Sequence, residues 1–332
     1  MYRTIKQNAI GLLLLQETHL TKERQASIKS MFKGRLKILF TEHPESPTRK
    51  EGVAVVINKS QMNAANTKVV VVVAGRALQV TVQCLGGDEL RVLCIYAPTS
   101  DGVAERQGFY QKVEEFYTEN PDIPKPHLMA GDFNNTEEYL DRIPVAEPDA
   151  SLASLDNLKV SLGLMLADGW RMTHPNTRAY TFHRGTGANA TCSRLDRIYT
   201  TCEIFDRARE WNILTPGVKT DHSLVSVQLT MESAPIVGKG RPSFALALLK
   251  DKKLAKQMKA SGIEAIKKLG ELEAKGIRND ENNAQIILYD LKTALLELAR
   301  AREKEKIPKL LAQAKTLEME YKKLELEESA NE

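Results

Sequence analysis

Four short acidic strings stand in a fixed order along the chain: Gln16-Glu17-Thr18, Gly131-Asp132-Phe133-Asn134, Ser193-Arg194-Leu195-Asp196 and Thr220-Asp221-His222. Each sits at the end of an apolar, strand-like run, where a β-strand would deliver its carboxylate to one rim of a sheet. Carboxylates gathered at one rim repel one another unless a cation neutralises them, and a hard ion such as Mg²⁺ takes oxygen ligands. His222, beside the last carboxylate, adds a group able to stabilise charge on a phosphate. The combination points to metal-dependent cleavage of a phosphodiester.

Each string also has a plainer reading. Asp132 and Asn134, two residues apart on an extended segment, face the same way and can hold one water or one phosphate oxygen, but a β-turn with an Asx cap gives the same string. An Asp-His pair such as Asp221-His222 is commonly a surface loop or a helix cap. Glu17 is harder to dismiss, because a carboxylate directly after an apolar strand is costly unless solvated or paired.

The elements that must position these groups are legible from periodicity. Residues 11–16, 52–57, 68–73, 78–83, 90–97 and 125–130 read as strands, rich in Val, Ile and Leu and bounded by Gly, Pro or charge. Residues 21–32, 104–117 and 154–162 read as amphipathic helices, the second with Phe109, Val113, Phe116 and Tyr117 on one side. No glycine-rich turn follows a strand, which argues against a doubly wound nucleotide fold. Hairpins with scattered helices suggest an α+β arrangement of two facing sheets with helices outside. At 332 residues and 42% hydrophobic composition the chain can bury one large domain and carry an appendage. Its longest apolar runs are too short to cross a bilayer, so no membrane partner is expected. The N-terminus lacks a signal-peptide pattern, and the four cysteines show no close metal-type spacing. Reduced thiols of an intracellular protein are expected.

Residues 235–243 read as a Pro/Gly-rich linker between a domain over 1–234 and a tail over 244–328. The tail is rich in Ala, Leu, Lys and Glu. Leu288, Leu291, Leu295 and Leu298, then Leu310, Ala314, Leu317, Tyr321 and Leu324, form apolar seams, with a break expected at Pro308. Such helices either pack on the domain or on each other, or form a coiled coil with a helical partner or a second copy. The net charge of +4 lies entirely in the tail, with 20 Lys/Arg against 16 Asp/Glu over 236–332. A neutral body is weak evidence for nucleic-acid binding.

Taken together, the motifs resemble the endonuclease/exonuclease/phosphatase superfamily, the group of deoxyribonuclease I and the apurinic/apyrimidinic endonucleases. More narrowly the chain resembles the endonuclease domain of non-LTR retrotransposons, fungal ones especially. Carrying the resemblance, over about residues 8–230, are 15–20 (Leu-Gln-Glu-Thr-His-Leu), 52–55 (Gly-Val-Ala-Val), 95–98 (Ile-Tyr-Ala-Pro), 131–134, 168–171 (Asp-Gly-Trp-Arg), 180–182 (Tyr-Thr-Phe), 193–199 and 220–222. It implies a four-layer α/β sandwich of the deoxyribonuclease I type, followed by the all-helical tail.

The resemblance also implies roles. Glu17 matches the family's metal-binding glutamate, with Asp221 assigned to the same Mg²⁺ site, Mn²⁺ being the alternative ion. Tyr96 matches the tyrosine on the scissile phosphate, Asp132 the aspartate that orients or deprotonates the attacking water, and Asn134 its helper. His222 matches the histidine that stabilises the transition state, and Asp196 the carboxylate paired with it. Arg178, Tyr180 and Arg194, with Thr181 and Phe182 nearby, are expected to contact double-stranded DNA. Core packing is the competing role for Trp170, Tyr180 and Phe182, and ion pairing for Arg171. The implied reaction is DNA nicking that leaves a 5′-phosphate and a 3′-hydroxyl, in the nucleus. A family-type first strand with its asparagine is not found ahead of Glu17, so a truncated chain with impaired activity is expected. The rival readings are a phosphoesterase of the same fold acting on inositol phosphates or lipids, and a non-catalytic remnant.

Overall fold

The computed structural model describes residues 2–99, 102–185, 190–216, 218, 220–233, 248 and 250–330. The linker expected over 235–243 lies outside the described residues. The chain divides into two compact units, Met1–Pro235 and Ile236–Glu332.

In the first unit the elements run α1 (Tyr2–Gln7), β1 (Leu12–Leu15), α2 (Lys22–Phe32), β2 (Leu36–Thr41), β3 (Val53–Asn58), β4 (Met62–Val73), β5 (Ala77–Cys84), β6 (Glu89–Tyr96), α3 (Val103–Glu119) and β7 (Leu128–Asp132). They continue with β8 (Arg142–Ile143), α4 (Ser151–Leu162), α5 (Gly169–Thr173), β9 (Phe182–Arg184), β10 (Thr191–Ser193), β11 (Asp196–Thr200), α6 (Cys202–Asp206), β12 (Ala208–Leu214) and β13 (Leu224–Leu229). All six strands and three helices expected from periodicity are present, each displaced by no more than three residues at either end, β4 excepted. That strand begins at Met62, six residues early, in a polar segment that pairs with β5 through a register shift.

The main sheet has the order β11-β7-β6-β5-β4, with β6 and β7 parallel and the other neighbours antiparallel. A second sheet, β1-β3-β2, is wholly antiparallel, and β12-β13 and β8-β10-β9 form smaller ribbons. Alternation along each strand sorts the apolar side chains into layers. Leu93, Ile95, Met129 and Tyr199 pack against Phe109, Tyr110 and Val113 of α3 and Leu155 and Leu158 of α4. Their sequence neighbours Val92, Cys94, Tyr96 and Ala130 point the other way and meet Val53, Val55 and Ile57 of β3. Behind that second sheet, Leu36, Ile38 and Val56 are covered by Ile5 of α1, with Ile28 and Phe32 of α2 packed alongside. Helices, sheet, sheet and helices make the four-layer sandwich. β1 consists of four leucines, Leu12 and Leu14 serving one core and Leu13 and Leu15 the other. Such a strand has the composition of a sheet interior, yet it pairs with β3 along one edge alone among the described residues.

The second unit contains α7 (Lys252–Lys275) and α8 (Ala284–Ala330). Asp251 caps α7 by accepting from the Lys253 and Leu254 N–H groups, and its other oxygen accepts from Arg302 and Lys306 of α8. Leu254 and Met258 pack there against Leu298 and Ala299. The break expected at Pro308 does not occur. α8 runs through it, since the proline is exposed and the one carbonyl it leaves without an intrahelical donor can be met by water. Leu310 and Leu317 lie on this helix with much of their surface exposed. No described helix is long and apolar enough to cross a membrane.

Because the cores of the first unit are built from its own elements, a chain ending at Pro235 is expected to melt in one cooperative transition by calorimetry. A broad, non-cooperative loss of structure after that cut would show that the domain needs the helices.

Candidate active site

The parity of three neighbouring strands sets the site. Val92, Cys94 and Tyr96 of β6, Leu128 and Ala130 of β7, and Ile198 of β11 all face the space between the sheets. Asp132 and Asp196 continue the same parity, so their side chains point to that face as well. Register then aligns them: Tyr96 stands opposite Asp132 in the parallel pair, and Asp132 opposite Asp196 in the antiparallel pair. One phenol and two carboxylates therefore form a row across the end of three strands.

Each member has a defined partner. The Tyr96 hydroxyl crosses to the other sheet and donates a short hydrogen bond to Glu17, just after β1, where the backbone has φ +51°. Asp132 is 5% exposed and accepts from the Asn134 N–H at 2.9 Å and the Asn134 amide at 3.2 Å. The same amide donates to the Ala97 carbonyl at 2.8 Å, tying the exit of β6 to that of β7. His222 is held by its Nδ1, 2.8 Å from Asp196, which leaves Nε2 on the far side of the ring. Its ring leans on Phe182, centroids 5.0 Å apart. Donor atoms of Asp132, Asp196 and His222 all lie within 4.8 Å of one another.

Crowding of like charge shifts the protonation equilibria. Burial, and then the charge of Asp196, push Asp132 up to about 7, with His222 pulling the other way. Burial lowers the His222 pKa, but the hydrogen bond and charge of Asp196, helped by Asp132 and Asp221, outweigh it and lift the ring to about 9. At neutral pH the histidine is thus a cation held between carboxylates. Burial first, then the bond to Glu17, raise the Tyr96 phenol, so it stays protonated as a donor.

Supporting residues explain the local backbone. Gly131 has φ +144°, and a Cβ there would fall 2.0 Å from the Ile95 carbonyl oxygen, so glycine is needed for β6 and β7 to pair. Thr181 is a clamp that motif reading placed only near DNA. Its hydroxyl accepts from the Leu195 and Asp196 N–H groups, and its carbonyl accepts from Ser223, next to His222. Arg76 also escaped sequence reading. It pairs with Glu51 at 2.9 Å and stacks over the Tyr96 ring, and only the fold brings residues 51, 76 and 96 together.

The remaining expected residues make no side-chain hydrogen bond to the row among the described residues. Asp221 is exposed, next to His222, with Thr220 at 3.5 Å as its side-chain partner. Arg178 is exposed, and Tyr180 is half-buried with its hydroxyl lacking a partner among the described residues. Arg194, expected to contact DNA, is 1% exposed and cannot. Its guanidinium is spent on both oxygens of Asp141 at 2.7 and 2.9 Å and on Asp168 at 2.7 Å. A guanidinium so deeply buried persists only when its donors are met by carboxylates. Arg171 is an ion-pair partner, bonding Asp141 at 2.5 Å, and Trp170 is core.

Residues 3–222 match the Endonuclease/Exonuclease/phosphatase family. A relative from Xenopus laevis, the uncharacterized 149 kDa protein of transposon TX1, is 30% identical over 257 residues, covering 77% of this chain and 18% of the relative's own length. The endonuclease domain of TRAS1, a telomere-specific non-LTR retrotransposon, superposes with a TM-score of 0.50 at 16% identity, covering 70% of this chain and 91% of that one. A 3′-5′ exonuclease from Neisseria meningitidis gives 0.55 at 18% identity, covering 69% and 93%.

Both of the following measurements are made in EDTA. Asp132 binds its proton more tightly folded than unfolded, about 7 against an ordinary 3.9 or so. Its contribution to stability is therefore full below about pH 4 and is lost as pH rises through about 7. Asp132→Asn removes that loss, so its melting temperature should exceed wild type at pH 8, with the gap closing toward pH 4. A gap that widens in acid would contradict the assignment. Gly131→Ala should cost more than about 2 kcal/mol by denaturant unfolding, since a backbone collision has no cheap relief.

Proposed function

The chain belongs to the endonuclease/exonuclease/phosphatase family, and from that premise we propose that it is a Mg²⁺-dependent DNA-nicking endonuclease of the kind encoded by non-LTR retrotransposons. The observation that carries the reading is the row of Tyr96, Asp132 and Asp196 across three strands, with His222 bonded to its last member. The transposon relative and the retrotransposon neighbour supply the biological setting.

The donor set fits a hard divalent ion. Glu17, Asp132 and Asp196 bring oxygen ligands toward one rim, and His222 is the sole described cation bonded to them. Glu17, with Asp221 as the further candidate, would hold the ion, which supplies charge neutralisation on the scissile phosphate. Asp132, deprotonated, accepts the proton of the attacking water, and Asn134 fixes that carboxylate through two hydrogen bonds. Protonated His222 offers Nε2–H to the charge that develops on the phosphate, while Asp196 holds the ring in place. Tyr96 keeps Glu17 oriented through its one hydroxyl proton, which would turn to the phosphate once the ion takes up the Glu17 carboxylate. Arg178 and Tyr180 are the remaining candidates for contact with duplex DNA.

Nicking of supercoiled plasmid in Mg²⁺, against EDTA, tests the reading, with release of inorganic phosphate from inositol phosphates run in parallel. Nicking without phosphate release is expected, and the reverse pattern would move the assignment to the small-molecule phosphoesterases. Asp132→Ala and His222→Ala should each slow nicking at least about a hundredfold, the scale of a lost general base or charge-stabilising donor.

A further inference from the structure

The end of the sandwich opposite the candidate active site carries a second feature. A concavity of about 900 Å³ is lined by Lys29 of α2, Lys33 at that helix's end, Lys37 of β2, Lys59 after β3 and the turn after β5, with no acidic residue in its lining. Its place follows from strand direction. Gly52, just before β3, accepts from Thr18 beside Glu17, whereas Lys59 follows the other end of that strand. β6 likewise ends at Tyr96 and begins at Glu89, next to the turn that lines the concavity. At about 3.3 Å per residue the two ends of β6 are roughly 23 Å apart.

The charge there is unbalanced. Residues 24–41 hold five Lys/Arg and no Asp or Glu, and residues 52–87 hold three and none. The body's zero net charge thus conceals a segregation of sign. What the lysines touch within the protein is neutral: Lys59 donates to the Lys33 carbonyl at 2.6 Å, Lys37 to the Ala64 carbonyl at 2.9 Å, and Lys29 lies over the Phe40 ring. Asp88, the nearest acid along the chain, is turned to the N–H and hydroxyl of Ser233. Lys29 and Lys33, one helical turn apart, present two charges side by side on an exposed face.

We propose that this concavity is a second nucleic-acid site that takes the sugar-phosphate backbone by charge, apart from the catalytic groove. Four unneutralised ammonium groups around a concave, partly apolar floor suit a string of phosphates. Without an aromatic side chain in the lining, stacking on bases contributes nothing, so binding is independent of sequence and steeply salt-dependent. The inference stands on charge and shape alone and does not require the catalytic reading.

The test measures binding of the full chain to a short labelled DNA duplex and, separately, to a single-stranded RNA, by fluorescence anisotropy in EDTA, where nothing is cut. Lys29→Gln/Lys33→Gln removes two exposed charges, and Lys29→Arg/Lys33→Arg keeps them. Loss of two phosphate contacts lowers the slope of log affinity against log salt by about 1.8 on duplex DNA and about 1.4 on a single strand. Between about 50 and 200 mM salt the wild-type affinity for duplex should therefore fall about 12-fold more than that of the Gln variant. A reduced slope in either arm, kept wild-type by the Arg variant, supports the site, and the arm affected identifies the nucleic acid. Unchanged slopes in both arms, or an equal loss in the Arg variant, would overturn it. Should the double variant fail to melt like wild type, Lys29→Gln alone should show about half the change.

Discussion

Like charges brought into register at the end of a sheet are the constraint on which this molecule turns. Asp132 and Asp196 face one another across β7 and β11, and Tyr96 brings Glu17 to the same rim from the opposing sheet. Hydrophobic burial drives those strands together and so forces the acids together. The surroundings answer that cost: Asn134 donates to Asp132, and Asp196 holds His222 as a cation well above its ordinary pKa. What remains uncompensated is negative, which is the condition a divalent ion would relieve.

Around the row, polar contacts rather than apolar packing fix the loops. Arg194 and Arg171 converge on Asp141, and Arg194 reaches on to Asp168, which also caps α5. Truncating one member leaves a buried charge without its partner, a loss far larger than the net worth of the pair. Arg194 is two residues from Asp196, and Thr181 clamps the N–H of Asp196 itself. The network therefore sets where the last carboxylate of the row stands, and through it where His222 stands.

The two ends of the sandwich differ in sign. Carboxylates gather where β6, β7 and β11 meet, and lysines gather where β6 begins and β3 ends. Strand direction separates them, because a strand delivers its two termini to opposite rims. A chain neutral over its first 235 residues can in this way present an acidic site and a basic one.

The sequence by itself determined the strands with strong β-branched or leucine runs, the order of the acidic motifs, the family and the helical character of the tail. Local patterning suffices for these, since periodicity and a carboxylate after an apolar run are visible within a few residues. The two- and three-residue strands β8, β9 and β10 were not readable, being too short to show a period. Neither was β2, where Ile38, Leu39 and Phe40 run together and leave no period over six residues, nor β11, β12 and β13, whose apolar residues are interrupted by charged or polar ones. Pro308, a helix breaker by local rules, is tolerated because its position on α8 is exposed. Only the tertiary structure decided that Arg194 is a buried strut, that Arg76 backs Tyr96, and that Tyr96, Asp132 and Asp196 share one row. Register and burial are properties of pairs of strands distant in the chain, and no local pattern encodes which strand will lie beside which.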